Sequence, residues 1–198
     1  FSVTNPNYNN SDKEMNLSIQ ALETDRLKNF GYKTNKTGFT LSTAFEYYDD
    51  LFLGVGTSNF YEKIETNSTA STRQKSQEGN YWDSFLNLNF NYDKRNQKFQ
   101  TTEGFQSRYF VDFPIISDTN TLSNTYTYKY FTELYEDNIS TFSIFLKSVD
   151  SISNDDVKLS ERIFLPSSKL RGFERGKIGP KDGNDFIGGN YATALNFS

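Results

Sequence analysis

Apolar and polar residues alternate along most of this chain, one for one. In "EMNLSIQAL", Met15, Leu17, Ile19 and Ala21 fall on one side and Asn16, Ser18 and Gln20 on the other, the period of two that marks a strand with unlike faces. "GFTLSTAFEYY" repeats the pattern, with Phe39, Leu41, Thr43, Phe45 and Tyr47 against Thr40, Ser42, Ala44 and Glu46. In "LFLGVGTSNFYEK", Leu51, Leu53 and Val55 stand opposite Gly54, Gly56 and Ser58, small residues that predict a crowded or curved second face. "YWDSFLNLNFNY" sets Trp82, Leu86, Leu88, Phe90 and Tyr92 against Asp83, Asn87, Asn89 and Asn91. Further strands are predicted in "GFQSRYFVDF", "TYTYKYFTELY", "NISTFSIFLKSV" and "GGNYATALNF", about nine in all.

The connections between these runs alternate in length. Short ones fall near 5–13, 48–51, 93–103 and 136–139, longer ones near 25–37, 63–79, 114–124 and 151–187. An up-and-down barrel of an outer membrane has short turns at one rim and longer loops at the other. A soluble sandwich or lipocalin-like barrel alternates too, and packs side chains inside. Here the second faces carry Glu46, Asp83, Arg108, Asp112, Lys129 and Glu133, which would be costly in a packed core. The pattern therefore predicts an all-β, antiparallel transmembrane barrel with Leu41, Phe45, Leu53, Leu86, Phe90 and Ile144 facing lipid and Ser42 and Asn87 facing inward. Bacterial single-chain barrels close with an even number of strands, so an odd count predicts an incomplete barrel. The polar stretch "ETNSTASTRQKSQEGN" reads as a mobile outer loop.

Composition sharpens this reading. Hydrophobic residues make up only 35%, yet aromatics reach 17%, with 19 Phe and 13 Tyr. Disordered chains lack such residues, whereas a barrel shows lipid only alternate positions and gathers aromatics into girdles. Histidine and cysteine are absent, which removes Ser-His-Asp and Cys-His catalysis, the common zinc sites and disulfides. No enzyme, metal or cofactor is expected. No run of 18 apolar residues offers a membrane helix. A net charge of -4 without long runs of one sign argues against nucleic acid as a partner. "FSVTNPNYNN" lacks the regions of a signal peptide and begins mid-pattern, which predicts a piece of something longer.

Minor motifs read as turns. "NDD" at 154–156 and "KDGND" at 181–185 carry oxygen ligands suited to calcium but not the twelve-residue EF-hand spacing, and Asx-type turns account for them. "DKR" at 93–95 reads as a solvated turn, and nothing in the sequence brings Glu46 and Asp83 together as an acid–base pair.

One segment breaks the acidic trend. Within "SSKLRGFERGKIGPKDGNDFIGGN", residues 167–190, the five cations Lys169, Arg171, Arg175, Lys177 and Lys181 oppose Glu174 alone between Lys169 and Lys181, a local net of +4. From these residues two readings stay open: an exposed, glycine-rich loop with solvated charges, or a loop drawn into a lumen that presents carboxylates. In the second, the guanidinium fork of Arg171 would hold a carboxylate with two bonds, Gly172 would take strained backbone angles, and Phe173 would anchor on the inner wall.

The segment resembles a known loop. "LRGF" (Leu170, Arg171, Gly172, Phe173), the Gly179 and Pro180 of "IGP", and "GGN" (Gly188, Gly189, Asn190) are similar to the long outer loop of the bacterial surface antigen family, in its BamA branch. "FSVTNP" at 1–6 looks like that family's strand end and turn, and "NFNYDKRNQKFQTTEGFQSRYFVDFP" at 89–114 like its Asp-x-Arg turn before Thr-x-Gly. The resemblance spans essentially residues 1–198 as part of that family's C-terminal barrel domain, roughly strands four to twelve of a sixteen-strand barrel. It implies that the first and last strands and the POTRA domains lie outside this sequence. It also implies that the loop folds into the lumen, that Arg171 pairs with acidic groups on later strands, and that Gly188, Gly189 and Asn190 form the hinge back to a strand. The implied role is folding and inserting β-barrel proteins in the bacterial outer membrane, by lateral opening and β-augmentation of an incoming strand. Partners would be outer-membrane lipid, accessory lipoproteins of the assembly complex and unfolded clients. A two-partner secretion pore of the same superfamily, or a passive porin, is the alternative.

Overall fold

The computed structural model describes every residue except Asp137, Asn154, Arg175 and the side chain of Asn29. Asn154 of the "NDD" stretch and Arg175 of the cationic run thus lie outside the described residues. The strands are β1 (Ser2–Asn5), β2 (Glu14–Arg26), β3 (Tyr32–Tyr48), β4 (Leu51–Thr66), β5 (Gly79–Asp93), β6 (Gly104–Ser117), β7 (Thr121–Tyr135), β8 (Asn138–Ser151), β9 (Lys181–Asp182), β10 (Asp185–Phe186) and β11 (Tyr191–Phe197). Nine of them form one sheet in the order β1-β2-β3-β4-β5-β6-β7-β8-β11, with β9 and β10 a separate hairpin. Every pair is antiparallel. The sheet is open, with β1 and β11 as its edges, a partial up-and-down barrel.

Register follows the alternation. Leu41 pairs with Leu17 on one side and Thr57 on the other, and Thr57 with Leu86, which in turn faces Phe113. A slip of one residue would send each of these side chains to the opposite face. The exposed face is the apolar one: Ile19 is 51% exposed, Trp82 45% and Phe90 41%. The buried positions of the strands include Ser58, Glu62, Asp83, Gln106 and Thr121. A water-soluble sandwich would bury the first set and expose the second, so this sheet is built for lipid outside and a polar lumen inside. On the inner face Gly56 approaches its neighbour strand closely, for a Cβ there would lie 2.7 Å from Ser42 Cβ and 2.8 Å from the Leu41 carbonyl oxygen. The crowding expected from the small residues of β4 is present.

Connection lengths depart from expectation. At the rim that carries the long connection, the joins are 27–31, 67–78, 118–120 and 152–190. The first and third are far shorter than the predicted 25–37 and 114–124, and the 94–103 turn on the opposite rim exceeds both. The cause lies in what holds strands together. Pairing continues past the apolar band through polar residues, as in Glu23 with Asn35, Thr24 with Thr34 and Asp25 with Lys33, because ladder bonds need only the backbone. Hydropathy marks where lipid ends; the strand runs on.

Candidate functional site

The connection 152–190 turns back over the inner face of the sheet. Val157, Leu159, Ile163 and Ile187 are its buried apolar residues among those described, and Val157 and Ile163 pack on Val149 of β8, with Ala192 of β11 against them. Gln77 zips the incoming chain like a short ladder: its Oε1 accepts from the Leu159 amide at 2.8 Å and its Nε2 donates to the Val157 carbonyl at 3.5 Å. Ile163 and Gly189 bridge as an antiparallel pair.

Between Val157 and Leu159 stands Lys158, only 1% exposed. Its Nζ contacts Asp83 of β5, lies 2.9 Å from Glu62 Oε2 of β4, and 3.6 Å from Glu161 Oε1 of its own segment. The ring of Tyr81 closes another side, its centroid 5.2 Å from the ammonium. The carboxylates are themselves held: Thr119 Oγ1 donates to Asp83 at 3.0 Å and Ser160 Oγ to Glu62 at 2.9 Å. Burial by itself would favour the neutral amine, yet Glu161, Glu62 and Asp83 together hold the Lys158 pKa above its ordinary value. Burial also pushes the Glu161 carboxyl up, against the pull of Lys158 and of Thr121, and its Oε2 has no hydrogen-bond partner among the described residues.

The other connections of this rim lock onto the same segment. In 67–78, the single helical turn Thr72–Lys75 begins with a capping box in which the Ser71 side chain accepts from the Gln74 amide and Gln74 reaches back. Gln74 is 1% exposed and donates to the Phe30 carbonyl at 2.9 Å. Arg73 holds Asp156 with two bonds of 2.6 Å, and the Ser71 hydroxyl donates to Asp182. The stretch predicted as a mobile loop is instead docked, because its Ser, Arg and Gln side chains find partners supplied by the distant segment. Arg26 lies 5.6 Å from the Phe30 ring centroid and 5.4 Å from that of Phe164, which ties the 27–31 join to the rest. Beneath the segment remains a cavity of about 580 Å³ whose lining includes Lys36, Phe60, Phe85, Asp112 and Glu161.

The predicted motif residues occupy the far side of this segment. Arg171 shares a recess with Lys129 and Phe131 of β7, Ser143 of β8 and Asn196 of β11. The loop does turn into the lumen, but Arg171 forms none of the ion pairs found among the described residues. That agrees with a partner on later strands, and three inner-face carboxylates of this sheet are engaged elsewhere: Asp83 by Lys158, Asp112 by the Asn87 amide, and Glu46 by the Asp50 backbone. Gly172 has φ +84, as a left-handed turn requires. Phe173 does not anchor on the wall; it is 60% exposed and lies outside the recess that Arg171 lines with Phe131 and Phe197. Leu170 is half-buried and Lys177 is exposed and pairs with Glu174 at 3.1 Å. The exposed Gly179 precedes Pro180, whose carbonyl accepts from Ile187 at 3.1 Å. Gly188, Gly189 and Asn190 are clamped by Ile163 and by the Val149 amide, which donates to the Asn190 carbonyl at 2.8 Å.

"KDGND" is the β9–β10 hairpin, with Gly183 at φ +61 in its turn. "DKR" is solvated only at Lys94: Arg95 grips Asp93 with two bonds of 2.7 Å at side-chain exposures of 16% and 10%, and Gln106 adds a bond to Asp93 at 3.0 Å. Glu46 and Asp83 lie toward opposite ends of their strands, beside Phe52 and Phe60 of β4 respectively. Sequence reasoning passed over Lys158, Glu62 and Gln77. The Ser71-x-x-Gln74 box was a legible helix-start signal; Lys158 carried none beyond its place between two apolar residues.

Comparison with known proteins agrees with this architecture. Residues 1–197 match the Omp85 superfamily domain. No curated protein matches the chain. Among solved structures, the crystal structure of BamA from Haemophilus ducreyi lacking POTRA domains 1-3 is similar in fold, with a TM-score of 0.80 at 18% identity over 96% of this chain. The chain spans 42% of the length of that structure.

Proposed function

This chain belongs to the Omp85 superfamily, and on that premise we propose that it forms part of an outer-membrane barrel that folds and inserts β-barrel proteins, a BamA-type assembly factor. The observation that carries the reading is the 152–190 segment, which is folded into the lumen and fastened there by a buried charge cluster. A passive porin keeps an aqueous channel through its lumen; here three connections interlock across one rim. The apolar outer face fits outer-membrane lipid as the surrounding solvent.

In this reading the nine strands are a scaffold and the loop is its brace. Clients are unfolded barrel precursors, which would join a sheet edge by β-augmentation, and accessory lipoproteins are the further partners. The Leu170–Phe173 motif, with Gly179 and Pro180, would meet acidic groups on another part of the barrel, since its surroundings in this sheet include Lys129 and Lys169. No reaction and no cofactor are part of the proposal.

The test is client assembly in cells that depend on the protein. Arg171→Ala is expected to lower the level of folded client barrels more than Lys177→Ala, because Lys177 is exposed beside Glu174. Equal effects, or none for Arg171→Ala, overturn the bracing role. Normal client levels together with failed export of a single secreted partner would point to a secretion pore.

A further inference from the structure

We propose that Lys158 is the positioning residue of the lumen segment: it seats the loop on the β4–β5 wall independently of Arg171. This deepens the assembly reading and rests on it for its biological use, but its geometry stands without it. Lys158 is buried among carboxylates from three places: Glu62 on β4, Asp83 on β5 and Glu161 beside it in the loop. A buried ammonium cannot leave such a site cheaply, and removing it would strand the carboxylates it neutralises. Arg171 lies at a different part of the wall, near β7, β8 and β11, and forms none of the described ion pairs.

The remaining ties point to the same wall. Gln77, which follows β4 and precedes β5, binds the backbone of Val157 and Leu159 on both sides of the lysine. Ser160 donates to Glu62, and Arg73 holds Asp156 two residues upstream of Lys158. All these partners precede the loop in the chain. The wall carboxylates are therefore side by side once β4 and β5 have paired, while Val149 of β8 and Ala192 of β11 complete the apolar part of the seat. The motif at 170–173 then hangs from a loop that is already fixed at its root.

The chain has no cysteine, so a single reporter thiol can be read cleanly. Leu159→Cys, at a position buried in the docked loop, is introduced into the protein in lipid vesicles, and its rate of reaction with a water-soluble maleimide is measured. Lys158→Met is expected to raise that rate about tenfold or more, given the cost of breaking a buried pair. Arg171→Ala is expected to change it less than about twofold, and Lys158→Arg to stay nearer the parent than Lys158→Met, since the charge is kept. Heat-modifiable mobility on gels reports separately whether the barrel is folded. If Lys158→Met fails to fold, Glu62→Gln and Asp83→Asn decide, and a rise in reaction rate is expected in both. The proposal is overturned if Lys158→Met leaves the rate within about twofold of the parent, if Arg171→Ala raises it as much, or if neither wall variant raises it. Client assembly is not the readout, so a failure here is distinct from a failure of the assembly reading.

Discussion

Lys158 and Arg171 show how differently two cations of one loop can be used. The first is enclosed by Glu62, Asp83 and Glu161, the second sits beside Lys129 and Lys169. A folded-state pKa above the unfolded one makes the contribution of Lys158 complete below its unfolded value of about 10.4, to be lost as pH rises through the higher folded value. Maleimide protection at Leu159→Cys, corrected for thiolate chemistry, should therefore hold steady from neutral pH to about 10. Asp156 shows the opposite sign: hydrogen bonds from Arg73 hold its carboxyl below the usual range. Its contribution is present above the unfolded aspartate value of about 3.9 and fades as pH falls through the lower folded value. With both side chains nearly half exposed, the pair is worth about 0–1 kcal/mol. On the lipid side, Leu86→Arg should cost about 2–4 kcal/mol in denaturant unfolding from vesicles if its position lies near mid-membrane depth. Asn89→Arg, on the inner face, should cost much less. Asn87, predicted as a tolerant inner site, is a poorer control, because its amide accepts from Ser58 and donates to Asp112. Equal losses for Leu86→Arg and Asn89→Arg would contradict a lipid-facing exterior.

Among the elements, the 67–78 connection is the one whose order depends most on others. Its single helical turn is too short to stand alone, since helices under about 12 residues are marginal in water. The capping box, the Gln74 bond to Phe30 and the Arg73 bond to Asp156 supply what length does not. Ser71→Ala removes both the cap and the bond to Asp182, so a loss of about 1 kcal/mol is expected for the cap alone. Hydrogen exchange should quicken at the amides of 72–78 and, through the shared contacts, in the β9–β10 hairpin. Faster exchange confined to 72–78 would show that the rim connections do not act together. The turn at 94–103 has a similar dependence at its root, where Gly104 has φ +100 and a Cβ would meet the Lys94 carbonyl oxygen at 2.1 Å.

For the whole molecule, the open sheet is the governing fact. β1 and β11 each leave one side without a neighbouring strand, and unpaired backbone groups cost several kcal/mol apiece in hydrocarbon while recruiting other strands in water. The 198-residue chain by itself, refolded into detergent, should therefore associate through its edges rather than run as a monomer. Light scattering on the purified complex measures this directly. A uniform monomer with fast-exchanging β1 and β11 amides and a protected loop would contradict it.

Alternation along the strands determined most of the sheet without help, because a side chain on a strand can point only two ways and lipid accepts only one kind of surface. Leu17, Leu41, Leu86 and Phe90 lie where the pattern put them, and so does the split between apolar exterior and polar lumen. The absence of histidine and cysteine narrowed the chemistry in the same local way. What the strands did beyond the apolar band, and which cation met which carboxylate, belonged to tertiary structure. Backbone pairing at Asp25 with Lys33 leaves no hydropathy mark. Lys158 finds Glu62 and Asp83 across separations of 96 and 75 residues, and no local pattern encodes a contact between groups that distant. The motif at Leu170–Phe173 was conspicuous because glycine and arginine are conspicuous residues; the lysine that fastens the loop was not, because its role comes only from the carboxylates the fold brings to it.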